Sequence, residues 1–489
     1  MSINTKCQVF TPSETVKKLL DIIGYNSDLY GKKVAENSCG DGNILVEIVR
    51  RYIEDAKSQR FSNDKIKTGL ERDIYGAEID NLHRSNSIIR LNTLTSEYEI
   101  YDVKWNIYNG DFLKLKIQQK FDFVIGNPPY IAHKEIQLKD REFLKKNFLT
   151  CSKGKFDFCY AFIEASIKSL TSEGKMAYLI PSNIFKNQFA MKLREMLTAG
   201  LTDIYDFTHQ KLFANKLTAS AIIVYNAGKS GESITYHNVI AKSNFAISKV
   251  TLSDKWQFDQ QIKNLKETDN VRFGEIFHAA SSIATLLNEA FIIDEFEDVG
   301  DYIRVGDYDI EKKLLRTAVS PRSKNYKKIE YVIFPYYYEN GKLSRYSVEN
   351  FEKMYPMGTQ YLKHYEEKLS KRKSDKSCQW FEYGRSQALA HLNQRKLLTS
   401  TLVTDVVRTY LLGDNIIPTA GIYIVPVSTY GIEIADKILR SKEFLAYVRS
   451  IGVISNGNSF RISPKDINNH IFSASILDEC NKKRLVAHA

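Results

Sequence analysis

The chain has 489 residues, a length that exceeds one compact core and favours two domains. Apolar residues make up 43% of it and charged residues 26%, which is a globular composition that excludes a largely disordered chain. No apolar run is long enough to cross a bilayer, so we expect no membrane association. The formal net charge of +11 suits a polyanionic partner such as nucleic acid.

The N-terminus and the cysteines indicate where the chain works. Met1 to Lys6 are not followed by the apolar core of a signal peptide, so we expect an intracellular, cytoplasmic protein. No two cysteines form a C-x-x-C pair, which argues against a zinc ribbon and against a disulfide framework. We therefore expect free thiols and no metal site. The cysteines are Cys7, Cys39, Cys151, Cys159, Cys378 and Cys480.

The first predicted element is a helix. Thr11, Pro12 and Glu14 have the spacing of a capping box, with Thr11 at the N-cap, Pro12 at the first helical position and Glu14 at the third. Apolar residues then recur at helical spacing, which predicts one buried face. These residues are Val16, Leu19, Leu20, Ile22 and Ile23.

Short apolar strands and amphipathic helices then alternate to about residue 226. The predicted elements are, in chain order, a strand at 33–36, a turn at 37–42, a helix with Ile44 to Tyr52 on its buried side, a polar surface insertion at 55–73, a strand at 74–79, a helix at 80–91, strands at 105–108 and 121–126, a helix at 156–170, and strands at 176–180, 203–207 and 219–225. This alternation predicts an α/β fold with a doubly wound, mostly parallel sheet.

Four polar residues follow or end predicted strands. Asp41, Glu78, Asp111 and Asn127 each occupy such a position. In doubly wound sheets ligands bind at the carboxyl ends of the strands, so we expect these side chains to meet there. Each acid alone has an ordinary structural explanation, whereas the four positions together indicate a binding site.

A glycine turn at the first strand end strengthens this interpretation. Gly40 and Gly42 let the backbone approach a ligand at a helix N-terminus. Glu78 stands where such folds bind a pair of ribose hydroxyls, and Asp111 could accept a hydrogen bond from an adenine amino group. The turn lacks the glycine arrangement of a pyrophosphate site, so the pattern predicts a nucleoside pocket.

The segment Asn127 to Tyr130 carries the chemistry. Pro128 and Pro129 stiffen the backbone and remove two donors, which leaves the Asn127 side-chain oxygen and the Pro128 carbonyl as fixed acceptors. A pair of acceptors suits an exocyclic amine, whose lone pair is conjugated into its ring until both hydrogens are bound. The segment predicts methylation of an amino nitrogen by positioning and electrostatics, with Tyr130 as a flat surface for the base.

Residues 7 to 226 resemble the γ-class of amino-DNA methyltransferases found in type II restriction–modification systems. The matching motifs are Val9 to Pro12, Glu36 to Gly42, and Asn127 to Tyr130, in that order. The family usually has a proline where Asn37 stands, a departure that we expect to leave the site unaffected. The resemblance implies a class I methyltransferase fold, S-adenosylmethionine as cofactor, and adenine N6 in double-stranded DNA as the substrate.

The resemblance also implies the role of each site residue. Asn127, Pro128 and Tyr130 would be catalytic, and Tyr130, Phe213 and Lys216 would hold the flipped base. The implied cofactor contacts are Thr11, Glu36, Gly40, Asp41, Gly42, Glu78, Ile79, Asp111, Phe112, Asn127, Pro129 and Phe162. We expect a prokaryotic, nucleoid-associated monomer, for which a separately encoded restriction endonuclease is a candidate partner.

The alternation of predicted helices and strands becomes irregular near residue 240. We therefore predict a catalytic domain at 1–240 and a mixed α+β target-recognition domain at 241–489. Aromatic and basic residues interleave in the second domain, which suits phosphate and base contacts. One basic group comprises Lys312, Lys313, Arg316, Arg322, Lys324, Lys327 and Lys328. For Trp380, Phe381 and Tyr383, core packing and DNA contact stay open.

Several alternatives stay open. The same chemistry could act on RNA, on cytosine N4 or on a protein glutamine, although the glutamine enzymes are much shorter. A bifunctional enzyme with a nuclease is a second alternative, against which the early first motif predicts no N-terminal nuclease domain. A DNA-binding module without catalysis is the third, and the complete set of acids with Asn127 argues against it.

Overall fold

The computed structural model describes residues 11–115, 117–208, 219–229, 231–252, 254–258, 270–455 and 459–477. The chain divides into two compact units, Met1–Phe258 and Asp259–Ala489. Each unit contains its own clusters of buried apolar residues. Within the described ranges, no helix has the length and apolar character needed to cross a membrane.

The first unit alternates helices and strands. Its elements are α1 (Ser13–Ile23), β1 (Val34–Glu36), α2 (Asn43–Ser58), α3 (Asn63–Asp73), β2 (Ile74–Glu78), α4 (Asn81–Glu97), β3 (Asn106–Asn109), β4 (Phe121–Gly126), α5 (Leu138–Asn147), α6 (Cys159–Ser169), β5 (Leu170–Pro181), α7 (Met191–Gly200), β6 (Leu201–Asp206), β7 (Ser220–Asn226), β8 (Ser233–Asn238) and β9 (Ser243–Ser248). The predicted helices and strands of this region are present, with ends shifted by a few residues.

The described strands of the first unit form one nine-stranded sheet in the order β3-β2-β1-β4-β5-β7-β6-β8-β9. Strands β3, β2, β1, β4 and β5 are parallel, and β7 runs antiparallel between β5 and β6. One hydrophobic cluster contains residues of α1, α2 and α4, and another contains residues of α6 and α7. The predicted doubly wound, mostly parallel α/β fold is confirmed.

The capping box predicted for α1 is wrong. The helix begins at Ser13, its N-cap is Pro12, and no side chain caps it. Thr11 lies outside the helix with 5% of its surface exposed. Its hydroxyl instead accepts a hydrogen bond from the Asn127 side chain. A tertiary contact therefore uses the hydroxyl that the local sequence pattern predicted to cap the helix.

The polar insertion predicted at 55–73 is largely helical. α2 continues to Ser58, and α3 begins after Ser62, whose hydroxyl accepts a hydrogen bond from the Lys65 amide at 3.3 Å. The Asp73 carboxylate is fully buried and accepts hydrogen bonds from the Tyr52 hydroxyl at 2.6 Å and the Gly31 amide at 2.8 Å. α3 is an amphipathic helix that packs against the core, although its composition is mostly charged.

The first unit extends further than the sequence predicts. The predicted boundary is at residue 240, but the unit ends at Phe258. Strand β8 pairs in parallel with β6, and β9 pairs with β8. These two strands add to the sheet, and their short, polar sequences give little periodic signal.

The second unit has many short elements. They are β10 (Asn270–Arg272), α8 (Phe273–Ile276), β11 (Phe277–Ser281), α9 (Asn288–Phe291), β12 (Ile292–Ile293), β13 (Glu297–Val299), β14 (Tyr302–Val305), β15 (Tyr308–Glu311), β16 (Leu315–Val319), α10 (Pro321–Tyr326), β17 (Glu330–Ile333), β18 (Tyr336–Glu339), β19 (Lys342–Arg345), α11 (Val348–Met354), α12 (Pro356–Lys363), α13 (Glu366–Ser370), β20 (Lys396–Thr399), β21 (Leu402–Val403), β22 (Thr409–Leu412), β23 (Ile417–Pro418), β24 (Ile422–Pro426), α14 (Ile432–Leu439), α15 (Lys442–Ile451), β25 (Val453–Ile454), β26 (Phe460–Arg461), α16 (Pro464–Asn468) and β27 (Ile471–Ser473).

Small sheets organise the second unit, which has the predicted mixed α+β character. Two of them have four strands, β11-β24-β20-β22 and β12-β17-β16-β23. Phe381 and Tyr383 are fully buried in its larger core, and the Phe381 ring stacks on Phe351 with ring centroids 3.9 Å apart. For these two aromatic residues the structure therefore decides in favour of core packing.

Candidate functional site

The parallel strands bring the predicted polar residues of the first unit to one edge of the sheet. Strand β1 ends at Glu36 and pairs with both β2 and β4. Strand β2 ends at Glu78, which lies opposite Asn109 at the end of β3. Because these strands are parallel, the residues that follow them meet at their carboxyl ends, where doubly wound folds bind ligands.

The glycine turn after β1 has the backbone geometry that only glycine adopts easily. Gly40 and Gly42 have φ angles of 51° and 82°, in the left-handed region. A Cβ at Gly42 would also lie 2.5 Å from the Ser87 hydroxyl on α4. The turn therefore brings its backbone close to α4, at the N-terminus of α2.

The Glu78 carboxylate is held by backbone amides. Its Oε2 accepts a hydrogen bond from the Gly40 amide at 2.8 Å, and its Oε1 accepts one from the Asp80 amide at 2.9 Å. Asp80 in turn caps α4. These bonds fix the carboxylate at the sheet edge, beside the 39% exposed side chain of Ile79.

Glu36, one of the predicted cofactor contacts, is buried. Its carboxylate has 3% exposure and accepts the Leu45 amide in the first turn of α2 at 3.0 Å. Burial raises the pKa of Glu36 well above its usual range, and the charge of Glu78 adds to this shift. Glu36 therefore holds the start of α2 in place behind the glycine turn.

His83, a residue that the sequence analysis did not single out, contacts Asp41. The His83 Nδ1 and Asp41 Oδ1 atoms lie 2.6 Å apart, and Asn86 donates to the same oxygen at 3.2 Å. Burial lowers the pKa of His83, but the hydrogen bond to Asp41 and the negative charges of Asp41, Asp80 and Glu78 together leave this pKa raised. Asp41 thus connects the glycine turn to α4.

Asp111 has a buried acceptor atom. Its Oδ1 accepts the Leu113 amide at 3.1 Å, whereas no described residue makes a hydrogen bond to Oδ2. The Lys114 ammonium lies 3.5 Å from Oδ2, and burial raises the pKa of Asp111. A buried carboxylate oxygen without a donor is costly, which fits a ligand that supplies an N–H group.

Two aromatic rings lie near Asp111 in sequence or space. The Phe112 and Phe162 rings stack with their centroids 6.2 Å apart. Phe162 has 5% exposure and also contacts the Phe158 ring, while Phe112 is half-buried. Of the two predicted cofactor contacts, Phe112 is therefore the more exposed.

The segment after β4 fixes the Asn127 amide from both sides. The Tyr130 hydroxyl lies 2.6 Å from Asn127 Oδ1 and 2.7 Å from the Leu179 carbonyl oxygen. Asn127 Nδ2 donates to the Thr11 hydroxyl oxygen at 3.3 Å. The Tyr130 hydroxyl has one hydrogen, which Asn127 Oδ1 and the Leu179 carbonyl share, and an amide oxygen can accept two hydrogen bonds.

The prolines place the rest of this segment. Pro128 is buried and Pro129 is half-buried. The Asn127 carbonyl accepts the Ser38 hydroxyl at 3.3 Å, which connects the segment to the glycine turn. The Tyr130 ring is partly buried against the core. Phe213 and Lys216, predicted to hold the base, lie outside the described residues.

Asn37 has a larger role than the sequence suggested. It has 2% exposure, its Nδ2 donates to the Ser166 hydroxyl at 2.7 Å, and its Oδ1 accepts the Tyr178 hydroxyl at 2.5 Å. This network joins β1, α6 and β5 directly beside Gly126. The departure from proline at this position was the only sequence signal for it.

Asp157 supports the chain that follows Tyr130. It forms an antiparallel bridge with Ala132, and its Oδ1 accepts the Cys159 amide at the start of α6 at 3.1 Å. Burial raises the pKa of Asp157 to about 6, against the opposing effect of the backbone N–H bonds.

Comparisons with known proteins agree with this geometry. Residues 28–213 match the family described as Eco57I restriction-modification methylase. The sheet, with its antiparallel β7, has the mostly parallel α/β fold that was predicted for a class I S-adenosylmethionine methyltransferase. The matched residues contain the glycine turn, Glu78, Asp111 and the segment from Asn127 to Tyr130.

The curated relatives include a type II restriction enzyme and methyltransferase and a type II methyltransferase. The chain is 23% identical to the type II restriction enzyme and methyltransferase RM.Eco57I of Escherichia coli, over 91% of this chain and 54% of that protein. It is 28% identical to the type II methyltransferase M.BstVI of Geobacillus stearothermophilus, over 53% of this chain and 49% of that protein. The chain thus spans about half the length of these relatives.

Two solved structures share the fold across both units. The type IIL restriction–modification enzyme MmeI, in complex with DNA, aligns with a TM-score of 0.57 and 13% identity over 94% of this chain and 64% of its own. The DrdV–DNA complex aligns with a TM-score of 0.53 and 12% identity over 90% of this chain and 53% of its own.

Proposed function

We propose that this chain transfers a methyl group from S-adenosylmethionine to the N6 amino group of adenine in duplex DNA, as the modification enzyme of a restriction–modification system. The observation that carries the proposal is the Asn127 amide, whose orientation Tyr130 and Thr11 fix at the carboxyl end of β4. The predicted roles of the individual site residues remain part of this proposal.

The Asn127 segment supplies acceptors where an amine needs them. The amine of adenine donates its two hydrogens to Asn127 Oδ1 and to the Pro128 carbonyl, which withdraws the lone pair from the ring and directs it outward. This stabilisation needs no proton transfer before attack, because the acceptors are already in place. As the nitrogen–methyl bond forms, the sulfur–methyl bond of the cofactor would break and S-adenosylhomocysteine would be the leaving group. The excess proton on the nitrogen would then pass to solvent.

The residues around the glycine turn fit the cofactor. The Asp111 Oδ2 atom would accept from the adenine amino group of S-adenosylmethionine, and Glu78 would accept from its ribose hydroxyls. The bound cofactor supplies an electrophilic methyl group on its sulfonium. Gly40 and Gly42 let the backbone reach it without a clash, and Phe112 offers a ring surface.

DNA as the substrate rests on the relatives and on charge. The named relatives are restriction–modification enzymes, and two fold neighbours were solved with DNA. The chain has a net charge of +11, which suits a polyanion. An enzyme that modifies a base in a duplex must extrude it, at a cost of about a few kcal/mol that phosphate contacts offset.

A substrate panel tests the proposal. Labelled S-adenosylmethionine is incubated with the protein and with duplex DNA, transfer RNA, ribosomal RNA or a glutamine peptide, and the products are digested for mass spectrometry. We expect label only in DNA, as N6-methyladenine. Label in N4-methylcytosine or in RNA would replace the acceptor but keep the amine chemistry, and no label in any substrate would contradict the proposal.

A bifunctional enzyme is the second candidate function. RM.Eco57I is named as both a restriction enzyme and a methyltransferase, and this chain matches 54% of it. Glu311-Lys312-Lys313 has the E-x-K spacing of some nuclease sites. It offers no support, because the Glu311 carboxylate accepts the Met357 and Gly358 amides at 2.9 and 2.8 Å. Cleavage of unmethylated DNA by the purified protein with Mg²⁺ would establish this candidate.

A further inference from the structure

A polar pocket lies in the second unit, on the sheet β12-β17-β16-β23. Its volume is about 350 Å³, and it is lined by Lys312, Leu315, Arg316, Thr317, Tyr331 and Asn415. Thr317 on β16 lies opposite Tyr331 on β17. Asn415 precedes β23, which runs parallel to β16. The pocket is thus built on adjacent strands and not on a single loop.

Arg316 has donors that the protein does not use. The side chain is half-buried and lies over the Phe334 ring, 5.8 Å from its centroid. Within the described ranges its hydrogen bond goes to the Leu315 carbonyl at 3.1 Å, and it forms no ion pair. A guanidinium has five N–H donors, so most of them are available to a ligand in the pocket.

Arg345, a second arginine of the same unit, differs from Arg316 because it is ion-paired. Arg345 forms an ion pair with the buried Glu382 carboxylate, to which its Nε donates at 2.6 Å. Arg345 therefore holds the fold together, whereas Arg316 lines an open pocket.

The other polar groups of the pocket indicate the ligand. Lys312 is neutralised by Asp298 at 2.6 Å. The Thr317 hydroxyl, the Tyr331 hydroxyl and the Asn415 amide have no hydrogen-bond partner in the part of the chain that the structure describes. The pocket therefore combines donors with acceptors. In the major groove a G·C pair displays both kinds of group, the guanine O6 and N7 acceptors and the cytosine N4 donor, whereas a phosphate displays only acceptors. The pocket therefore fits the edge of a base pair.

Cations suited to phosphates lie on the connection that joins β16 to β17. Arg322, Lys324 and Lys327 are exposed, and the described residues provide none of them with an ion pair. Exposed cations of this kind bind the DNA backbone without sequence preference. The connection thus offers contacts to the DNA backbone a few residues after Arg316 in the sequence.

We propose that the Arg316 pocket reads a base edge in the DNA target, with the guanidinium donating to the O6 and N7 atoms of a guanine in the major groove. Arg316 is thereby a specificity-determining residue, and Asn415 adds a contact within the same pocket. This proposal rests on the proposed function, because it assigns part of the sequence choice of that reaction.

The test compares Arg316→Ala with Arg316→Lys, and with Arg322→Ala as the matched control. Each protein is expressed in a methylation-free host, and sequencing that reports modified bases gives the methylated motif. In the Arg316→Ala variant we expect one G·C position of the motif to relax, with discrimination there falling by about 5- to 150-fold. Arg316→Lys should relax the same position, since a point charge lacks the bidentate fork.

The control separates base recognition from backbone binding. Arg322→Ala should keep the full motif, weaken DNA binding about equally for all sequences, and lower the salt slope of binding by about 1. Thermal melting of each variant checks the fold. If Arg316→Ala does not fold, Arg316→Lys gives the result, because it keeps the charge and most of the stem.

The outcomes distinguish the two proposals. A wild-type protein that methylates DNA, with Arg316 variants that keep its motif at full stringency, overturns the pocket assignment alone. A wild-type protein that methylates no DNA overturns the proposed function. In that case the consensus selected from a random duplex library by each purified protein decides the pocket, and an identical consensus for wild type and Arg316→Ala rejects it.

Discussion

The candidate site of the first unit and the Arg316 pocket of the second differ in how their polar groups are hydrogen-bonded. In the first unit, the groups at the strand ends bind one another: Tyr130 and Thr11 hold Asn127, and backbone amides hold Glu78. In the Arg316 pocket of the second unit, most guanidinium donors have no protein partner within the described ranges. The first arrangement suits chemistry that needs fixed geometry, and the second suits recognition of a variable partner.

The difference follows from what each task requires. Transition-state stabilisation depends on groups that are already oriented, because reorientation would cost free energy during the reaction. Base recognition depends on donors that the protein leaves for the DNA, because a satisfied donor cannot discriminate between bases. Predictions that alter one unit without affecting the other therefore test this contrast.

The largest effect is expected for Asn127→Ala. Loss of a preorganised acceptor should lower the methyl-transfer rate by about 10²- to 10³-fold or more. Binding of S-adenosylmethionine, measured by calorimetry, should change little. The matched control is Asn92→Ala, an exposed residue whose side-chain oxygen accepts a hydrogen bond from the Trp105 indole at 2.8 Å. Near-normal turnover by Asn127→Ala would refute the site assignment.

Next is Arg345→Ala in the second unit. This variant leaves the Glu382 carboxylate, 1% exposed, without its cation, so the free energy of unfolding should fall by about 3 kcal/mol. Chemical denaturation measures the change. The Arg316→Ala variant should lose much less stability. Equal losses in both variants would mean that Arg316 is structural.

Asp111→Asn should weaken the cofactor. The substitution can keep the acceptor for the Leu113 amide but turns Oδ2 into a donor that faces the cofactor amine. Affinity for S-adenosylmethionine should fall by about 1–3 kcal/mol. Isothermal titration measures it, and the fall should be absent for a cofactor analogue without the adenine amino group. An equal loss with that analogue would contradict the assigned contact.

A smaller effect is expected for Tyr130→Phe. The ring remains, but Asn127 Oδ1 loses the hydroxyl at 2.6 Å that helps to orient it. The activation free energy of methyl transfer should rise by about 1 kcal/mol, which lowers the rate roughly fivefold. The affinity for DNA should change little. If affinity falls instead of rate, the hydroxyl contacts the DNA and does not orient Asn127.

The last prediction concerns the pH dependence of stability at Asp157. Burial raises its pKa to about 6. The folded state therefore holds the proton more tightly than the unfolded chain, whose aspartate pKa is about 3.9, and stability is lost as the pH rises from about 4 to about 6. Asp157→Asn has no proton to lose, so its melting temperature should gain on wild type across this range. If the difference in melting temperature between Asp157→Asn and wild type did not change with pH, Asp157 would not be the source of this pH dependence.

Much of the first unit was predictable because its signals are local. Alternating strands and helices predicted the sheet, and the strand-end positions of Glu78, Asp111 and Asn127 predicted that they would meet. Local signals failed where distant residues compete for a group. Thr11 has the spacing of a helix cap, yet its hydroxyl contacts Asn127, 116 residues away.

The second unit was less predictable because its sheets pair strands far apart in sequence. Composition identified a basic, aromatic region but could not separate buried Phe381 from an exposed ring. Nor could it distinguish the paired Arg345 from Arg316, since both occur among similar neighbours.

The sequence by itself determined the chemistry proposed for this protein, because Asn127 to Tyr130 adjoin one another and their backbone needs no distant partner to define the acceptors. The tertiary structure decided what holds that segment and which charges are left for a partner. Those properties depend on hydrogen bonds between residues such as Asn37 and Tyr178, which lie 141 positions apart. Only folding brings such groups within reach of each other, and burial then makes their pairing necessary.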